Sequence, residues 1–255
     1  MIDDGVLVRR FNNFCALGPE DEQRLRSLAR ENVRTKAARR DLIRDGERPR
    51  VVYLVLLGWA YRHKVLEDGR RQILQFLLPG DLCDVHNVVL RRMDHSIGAL
   101  TEVSYAEISH QRMEEIERSS SDLKHALWWH SATAIAVQRE WTVNIGQRNA
   151  LERLSHLFCE LFLRLQAVGL TSGQSCDMPA TQADLGDAVG LTSVHVNRTV
   201  QELRERGLIV LNNRRLTIPN FAALRKAASF TADYLHLRNQ MPPGSSLGHD
   251  PARVS

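Results

Sequence analysis

The chain has 255 residues, 43% of them hydrophobic and 25% charged, which is length enough for two domains that each bury a core. No apolar run approaches the roughly 20 residues of a membrane-spanning helix, and the start MIDDGVLVRRF lacks the layout of a signal peptide, so a cytoplasmic protein is expected. The four cysteines (Cys15, Cys83, Cys159, Cys176) never form the close pairs of zinc or iron–sulfur sites, and the net charge of +4 is compatible with a nucleic-acid partner without requiring one.

Residues 1 to about 40 carry apolar side chains at helical spacing (Phe11, Phe14, Leu17, Leu25, Leu28, Ala29), with Pro19-Glu20-Asp21-Glu22 at a helix start, and read as a small helical cap. The basic run from Arg34 to Arg40 reads as a solvated face. From Leu42 to Ile108 short β segments alternate with glycine turns: Val51 to Leu56 before Gly58, Trp59 to Val65 before Gly69, Gln72 to Leu77 before Pro79-Gly80-Asp81, and last strands within Ser96 to Ile108. Evenly spaced short strands suggest a jelly-roll-like antiparallel barrel.

Ser119-Ser120-Ser121-Asp122 is rich in capping residues and opens a long helix. Leu123, Leu127, His130, Ala134, Val137 and Trp141 recur in steps of four and three, the seam of a two-stranded coiled coil, so this stripe is expected to dimerise. Trp128, Ile135 and Val143 lie off the stripe and are expected to pack on the helix's own barrel. Ala150 to Val168 is a further apolar helix, and Cys176-Asp177-Met178 a short strand.

The most informative stretch runs from Thr181 to Arg215. Thr181 caps a short amphipathic helix, Asp184 follows three residues later, and Gly190-Leu191-Thr192 forms a tight turn into a second helix. The second helix has inward Val196, Thr199, Val200 and Leu203 and stops at Gly207. With the small Gly186 at the expected crossing, this is a helix-turn-helix. Two β segments flanking Asn212-Asn213-Arg214-Arg215 add a hairpin, and so a wing. From Arg198 to Lys226 there are seven basic and two acidic residues, the charge balance of a duplex-binding face. The tail from Gln240 is rich in Pro, Gly and Ser and reads as disordered.

The expected class is therefore α+β, with a β jelly roll in 1–118, a dimerisation helix in 119–148, a winged helix-turn-helix in 149–228, and a short helix with a tail in 229–255. Barrel, long helix and winged helix in this order resemble the Crp/Fnr family of bacterial transcription regulators. The motifs that carry the likeness are DGERPRVVYLVLLG (Asp45 to Gly58), Leu77-Leu78-Pro79-Gly80-Asp81, and TQADLGDAVGLTSVHVNRTVQELRERGLI. The LTSVHVNR segment is most similar to that of uncharacterised members from alphaproteobacteria.

The resemblance implies a cyclic-nucleotide-binding-like sensor barrel, and a homodimer that binds a palindromic double-stranded DNA operator and works with RNA polymerase. In the family's cAMP binders a Gly-Glu pair and an Arg-Ser pair follow the Gly-Asp turn. This chain offers Asp84-Val85 and His95-Ser96 there, which puts an acid where the ligand enters and exchanges a permanent cation for an imidazole. Classical cAMP binding is not expected, although Arg91 or Arg92 offers charge for a different anion. The effector is left open. Cys15 alone in the amino-terminal segment argues against an iron–sulfur cluster, His63, His86 and His95 show no ligand spacing, and Cys83 is expected to be an inert buried thiol.

A recognition helix meets the major groove with its first turns, so Ser193, Val194, Asn197 and Arg198 are the candidates for base edges. Gln182, Thr192 and His195, with Arg214 and Arg215 in the wing, are the candidates for phosphates. Val194 stands where the best-known members carry Glu, which implies a different operator base pair. An enzyme is disfavoured because GxxxxGK[ST] and HExxH are both missing from the chain. The other rival, a ligand-sensing adaptor without a DNA target, leaves the basic second helix unexplained.

Overall fold

The structure is a computed structural model and describes residues 3–237 of the chain. Two short helices, α1 (Val6–Asn12) and α2 (Pro19–Leu28), precede eight barrel strands. These are β1 (Val33–Lys36), β2 (Asp41–Ile43), β3 (Val51–Leu57), β4 (Ala60–Val65), β5 (Arg71–Leu77), β6 (Leu82–Cys83), β7 (Ser96–Ala99) and β8 (Val103–Ser109). They form two four-stranded antiparallel sheets, ordered β1-β8-β3-β6 and β2-β7-β4-β5. Residues alternate in β3: Tyr53 and Val55 face the other sheet, whereas Val52, Leu54 and Leu56 face outward onto the helices. The basic run lies outside the helical cap and is partly strand, because Val33 to Lys36 pair with Val103 to Ala106, and its residues are exposed as expected apart from the half-buried Lys36. Arg39, at the end of that run, reaches across to the helix-turn-helix, as described below.

The polypeptide then turns into α3 (His110–Ser119), a helix beyond the expected elements; Ser109 caps it by accepting from the Arg112 N–H, and Met113 and Ile116 are its buried face. Next come α4 (Ser121–Gln147) and α5 (Ala150–Ala167), separated only by Arg148 and Asn149. Asn149 and Glu152 form a reciprocal capping box, so a new helix starts at once and the joint is a sharp bend. The carboxy-terminal part holds β9 (Thr171–Ser172), β10 (Ser175–Asp177), α6 (Gln182–Val189), α7 (Ser193–Glu205), β11 (Val210–Asn212), β12 (Arg215–Thr217), α8 (Phe221–Ala227) and a 3₁₀ turn over Asp233–Leu235. The expected tail lies outside the described residues.

The expected dimer seam is turned inward. Leu123 and Leu127 are fully buried among α1, α2 and the outer face of β3, and Val137 and Trp141 are buried against the barrel and α5. The His130 ring donates from Nε2 to the Leu82 carbonyl at 2.9 Å, and the Trp141 indole donates to Glu160 Oε2 at 3.0 Å. Ala134 lines a cavity beside the barrel. The outward face is the one assigned to the barrel: Trp128, Ile135 and Val143 are 61%, 57% and 46% exposed. Both stripes carry helical spacing, so periodicity alone does not tell them apart. Polarity does, because His130 and the Trp141 N–H need hydrogen-bond partners when buried, and Leu82 in the barrel and Glu160 in α5 supply them.

Sensor and carboxy-terminal parts share one continuous core, from Trp59, Phe76 and Val137 through Phe158 and Leu161 to Val196 and Leu203. A buried ionic network crosses the same junction. Arg164, 1% exposed, donates to Asp81 Oδ2 at 2.7 Å, to Glu160 Oε1 at 3.1 Å and to the Phe76 carbonyl at 3.0 Å, while Arg10 pairs with Asp81 at 3.1 Å. Burial alone would raise the Asp81 carboxyl, but Arg10 and Arg164 outweigh it and hold its pKa at about 2.

Candidate nucleic-acid interface and sensor cavity

Local rules fix the helix-turn-helix. Thr181 and Asp184 form a capping box on α6, Gly190 ends it in the left-handed conformation with φ of 68°, and Thr192 caps α7 by accepting from the His195 N–H. Gly186 sits at the crossing, where an added Cβ would lie 2.4 Å from the Leu191 carbonyl oxygen, so no other residue fits without moving backbone. Val196, Thr199, Val200 and Leu203 are buried, which fixes the rotation of α7 and turns its other face outward.

On that face Ser193, Val194 and Arg198 are exposed and Asn197 half-buried. With Gln182 and Gln201 they line a shallow recess of about 330 Å³. The Asn197 amide donates to Gln182 Oε1 at 3.2 Å, so the two are set relative to each other. His195 and Thr192 are exposed; His195 lies toward a second hollow shared with Asn149 and Glu152 at the start of α5. The wing turns at Asn213 and Arg214, both with positive φ (48° and 57°), as a two-residue hairpin requires. Arg214 and Arg215 are exposed at that turn, and Arg215 lies 3.7 Å from Asp177.

The sensor cavity lies between the barrel and α4 and measures about 630 Å³. Asp84, Val85 and His95 line it, as do Gln75 and Arg62. Ser96 does not: its hydroxyl accepts from the Asp45 N–H at 2.9 Å, because β7 turns it away toward the β2–β3 loop. Nor do Arg91 and Arg92, both exposed outside it. The guanidinium in the cavity is Arg62, from the neighbouring strand β4, paired with Asp84 at 3.2 Å and hydrogen-bonded to Gln75. Asp84 has φ of 54° and also meets His95 Nε2 at 3.2 Å, while His95 Nδ1 meets Asp94 at 2.7 Å. Burial would raise the Asp84 carboxyl, but Arg62 and His95 reverse that and hold it far below the ordinary carboxylate range. For His95, burial is outweighed by Asp84 and the imidazolium is favoured. Cys83 is fully buried and burial pushes its thiol up, away from the reactive thiolate. His63 pairs with Asp41 at 3.1 Å, and among the described residues no group of three or more His, Cys, Asp or Glu is placed to hold a metal ion.

Comparison with known proteins places these parts. The profile of the cyclic nucleotide-binding domain matches residues 33–120, and that of the Crp-like helix-turn-helix domain matches residues 152–227. The nitrogen fixation regulation protein FixK of Rhizobium meliloti is 30% identical over 185 residues, covering 72% of this chain and 80% of that protein. The chain belongs to the Crp/Fnr family. A second relative within it, the transcriptional activator protein FnrL of Cereibacter sphaeroides, is 26% identical over 218 residues, 84% of this chain and 87% of that protein. The fold is shared with FixK2 from Bradyrhizobium japonicum, at a TM-score of 0.69 and 23% identity, covering 79% of this chain and 98% of that one.

Two features of this Crp/Fnr chain escape a reading of single motifs. Arg62 stands 22 residues before Asp84, and only the barrel brings them together. Gln201, one turn beyond Asn197 on the exposed side of α7, follows from the same helical spacing that selects Asn197.

Proposed function

We propose that the protein is a homodimeric, sequence-specific transcription regulator of the cytoplasm. Each α7 reads one half of a two-fold operator, and transcription by RNA polymerase changes when a signal reaches the sensor cavity. The observation that carries this is the free outer face of α7, with Ser193, Val194, Asn197 and Arg198 around one recess beside a basic wing. The relatives named for transcriptional activation and for regulation of nitrogen fixation support it.

The dimer forms along the outer stripe of α4. Trp128, Ala132, Ile135, Arg139 and Thr142 recur in steps of four, three, four and three, all exposed, with Val143 beside them. A second copy of the same helix covers this stripe and gives the two reading heads a fixed separation. The signal is not a classically bound cyclic nucleotide: among the described residues lining the cavity Arg62 is the one permanent cation, and a phosphate would have to displace Asp84 from it.

Selection of random duplexes by the full chain tests this reading. An enriched inverted repeat is expected; no enrichment over the input pool would overturn it.

A further inference from the structure

The helix-turn-helix is bolted to its own sensor barrel by a four-residue ionic clamp. Arg39, in the β1–β2 turn, donates through both terminal nitrogens to the two carboxylate oxygens of Asp184, at 2.6 and 2.8 Å. Arg71, at the start of β5, donates to Asp184 Oδ1 and to Asp187 Oδ2, each at 2.8 Å. The Arg71 guanidinium is itself held over the Tyr61 ring, 5.2 Å from its centroid, and donates to the Tyr61 hydroxyl at 3.1 Å. Both acids lie on α6, one turn apart, and Asp184 is 1% exposed. Burial would raise its carboxyl, but the Arg39 pair and the Thr181 hydrogen bonds leave it strongly depressed, so it is ionised under all ordinary conditions.

Charge-assisted, forked contacts of this kind fix direction as well as distance. The α6 helix carries α7 through the close crossing at Gly186, so whatever orients α6 orients the reading helix. The chain link between the two parts is only the bend at Arg148 and Asn149, across which Arg153 bonds the Arg148 carbonyl at 2.7 Å and the Val189 carbonyl at 3.1 Å. The clamp grips α6 from the barrel side and leaves the reading face open, with Val194 70% exposed.

We propose that Arg39 and Arg71 are positioning residues for DNA recognition. Acting through Asp184 and Asp187, they hold α7 at one place relative to the barrel and so set the half-site spacing that the dimer accepts. The proposal rests on the dimeric reading of the preceding section.

Its test varies spacing separately from sequence. The half-site selected by the wild type is placed as an inverted repeat, the spacer is changed one base pair at a time, and affinities are measured for wild type, the Arg39→Ala/Arg71→Ala double variant and the milder Asp187→Asn. The wild type should show one sharply preferred spacing. In the double variant the ratio between the best and the neighbouring spacings should shrink several-fold, and in Asp187→Asn to a lesser degree, with the preferred half-site sequence unchanged in both. A merely structural role would lower affinity at every spacing alike. Unchanged spacer discrimination in folded, dimeric Asp187→Asn and in the double variant would overturn the positioning role alone, as would a changed half-site sequence. A wild type that selects single half-sites would overturn the dimeric reading and this proposal with it.

Discussion

Replacing Gly186 with Ala adds one methyl group at the tightest point of the reading head. The new Cβ would stand 2.4 Å from the Leu191 carbonyl oxygen. Carbon and oxygen come to rest near about 3.3 Å, so α6 and the turn must part by about 1 Å. Overpacking of this size costs about 1–3 kcal/mol. The movement also stretches the bond from the Leu191 N–H to the Gly186 carbonyl, now 3.0 Å, with about 0.5–1.5 kcal/mol at stake. Against this, Ala in a helix interior gains about 0.5–1 kcal/mol over Gly. The net expectation is a loss of about 1–3 kcal/mol and weaker binding of specific DNA, because the turn that sets α7 is displaced. Denaturant unfolding followed by circular dichroism reads the first, and fluorescence anisotropy with a selected duplex reads the second. The exposed Ala183 on the same helix gives the propensity baseline, since Ala183→Gly touches no crossing. An unchanged or stabilised Gly186→Ala, the outcome of propensity alone, would refute the crossing constraint.

Other changes separate the remaining assignments. Trp128→Glu with Ile135→Glu should give folded monomers in sedimentation, whereas Val137→Glu, 2% exposed, should destabilise the protomer itself; dimeric Trp128→Glu/Ile135→Glu would show the outer stripe to be misassigned. Arg164→Met leaves Asp81 and Glu160 buried without their cation and should cost about 3–5 kcal/mol in unfolding free energy; a change below about 1 kcal/mol would remove the network as a junction element. Burial and the nearby Arg10 lower the His130 pKa to about 4, so the folded protein keeps it neutral while the unfolded chain takes up a proton below about 6.5. Its stabilising contribution is complete above that pH and is lost as pH falls toward 4, by at most about 3 kcal/mol. In His130→Gln, which keeps a donor for the Leu82 carbonyl, this part of the acid slope should vanish; an equally steep slope would contradict it.

Much of the architecture is legible in the chain because its signals are local. Thr181 with Asp184, Thr192, Gly186 and Gly190 act within a few residues, so the helix-turn-helix follows from spacing, and Asn213-Arg214 marks the wing turn in the same way. The faces of α4 are not legible from periodicity, because two apolar stripes share one helix and the buried one is chosen by hydrogen-bond partners at Leu82 and Glu160, distant in sequence. The Arg62–Asp84 pair is hidden for the same reason, since one partner comes from a neighbouring strand. Arg39 looked like part of a solvated basic run, and only the packing of α6 on β5 gives it a partner 145 residues away. Local chemistry writes the reading head, then, whereas long-range pairing writes the sensor and its coupling to that head.

The DNA-reading assignment is tested most directly by selecting random duplexes, at one fixed salt concentration, with wild type, Arg198→Ala and Arg214→Ala. Arg198 can donate twice to guanine O6 and N7, a contact worth about 1–3 kcal/mol of discrimination, so its loss should relax preference at one symmetric G·C pair and leave the other positions intact. Arg214, exposed at the wing turn, should weaken binding to all sequences and flatten the salt dependence while the selected sequence stays the same. Unchanged preference at every position in Arg198→Ala would contradict the claim that this face of α7 reads the operator.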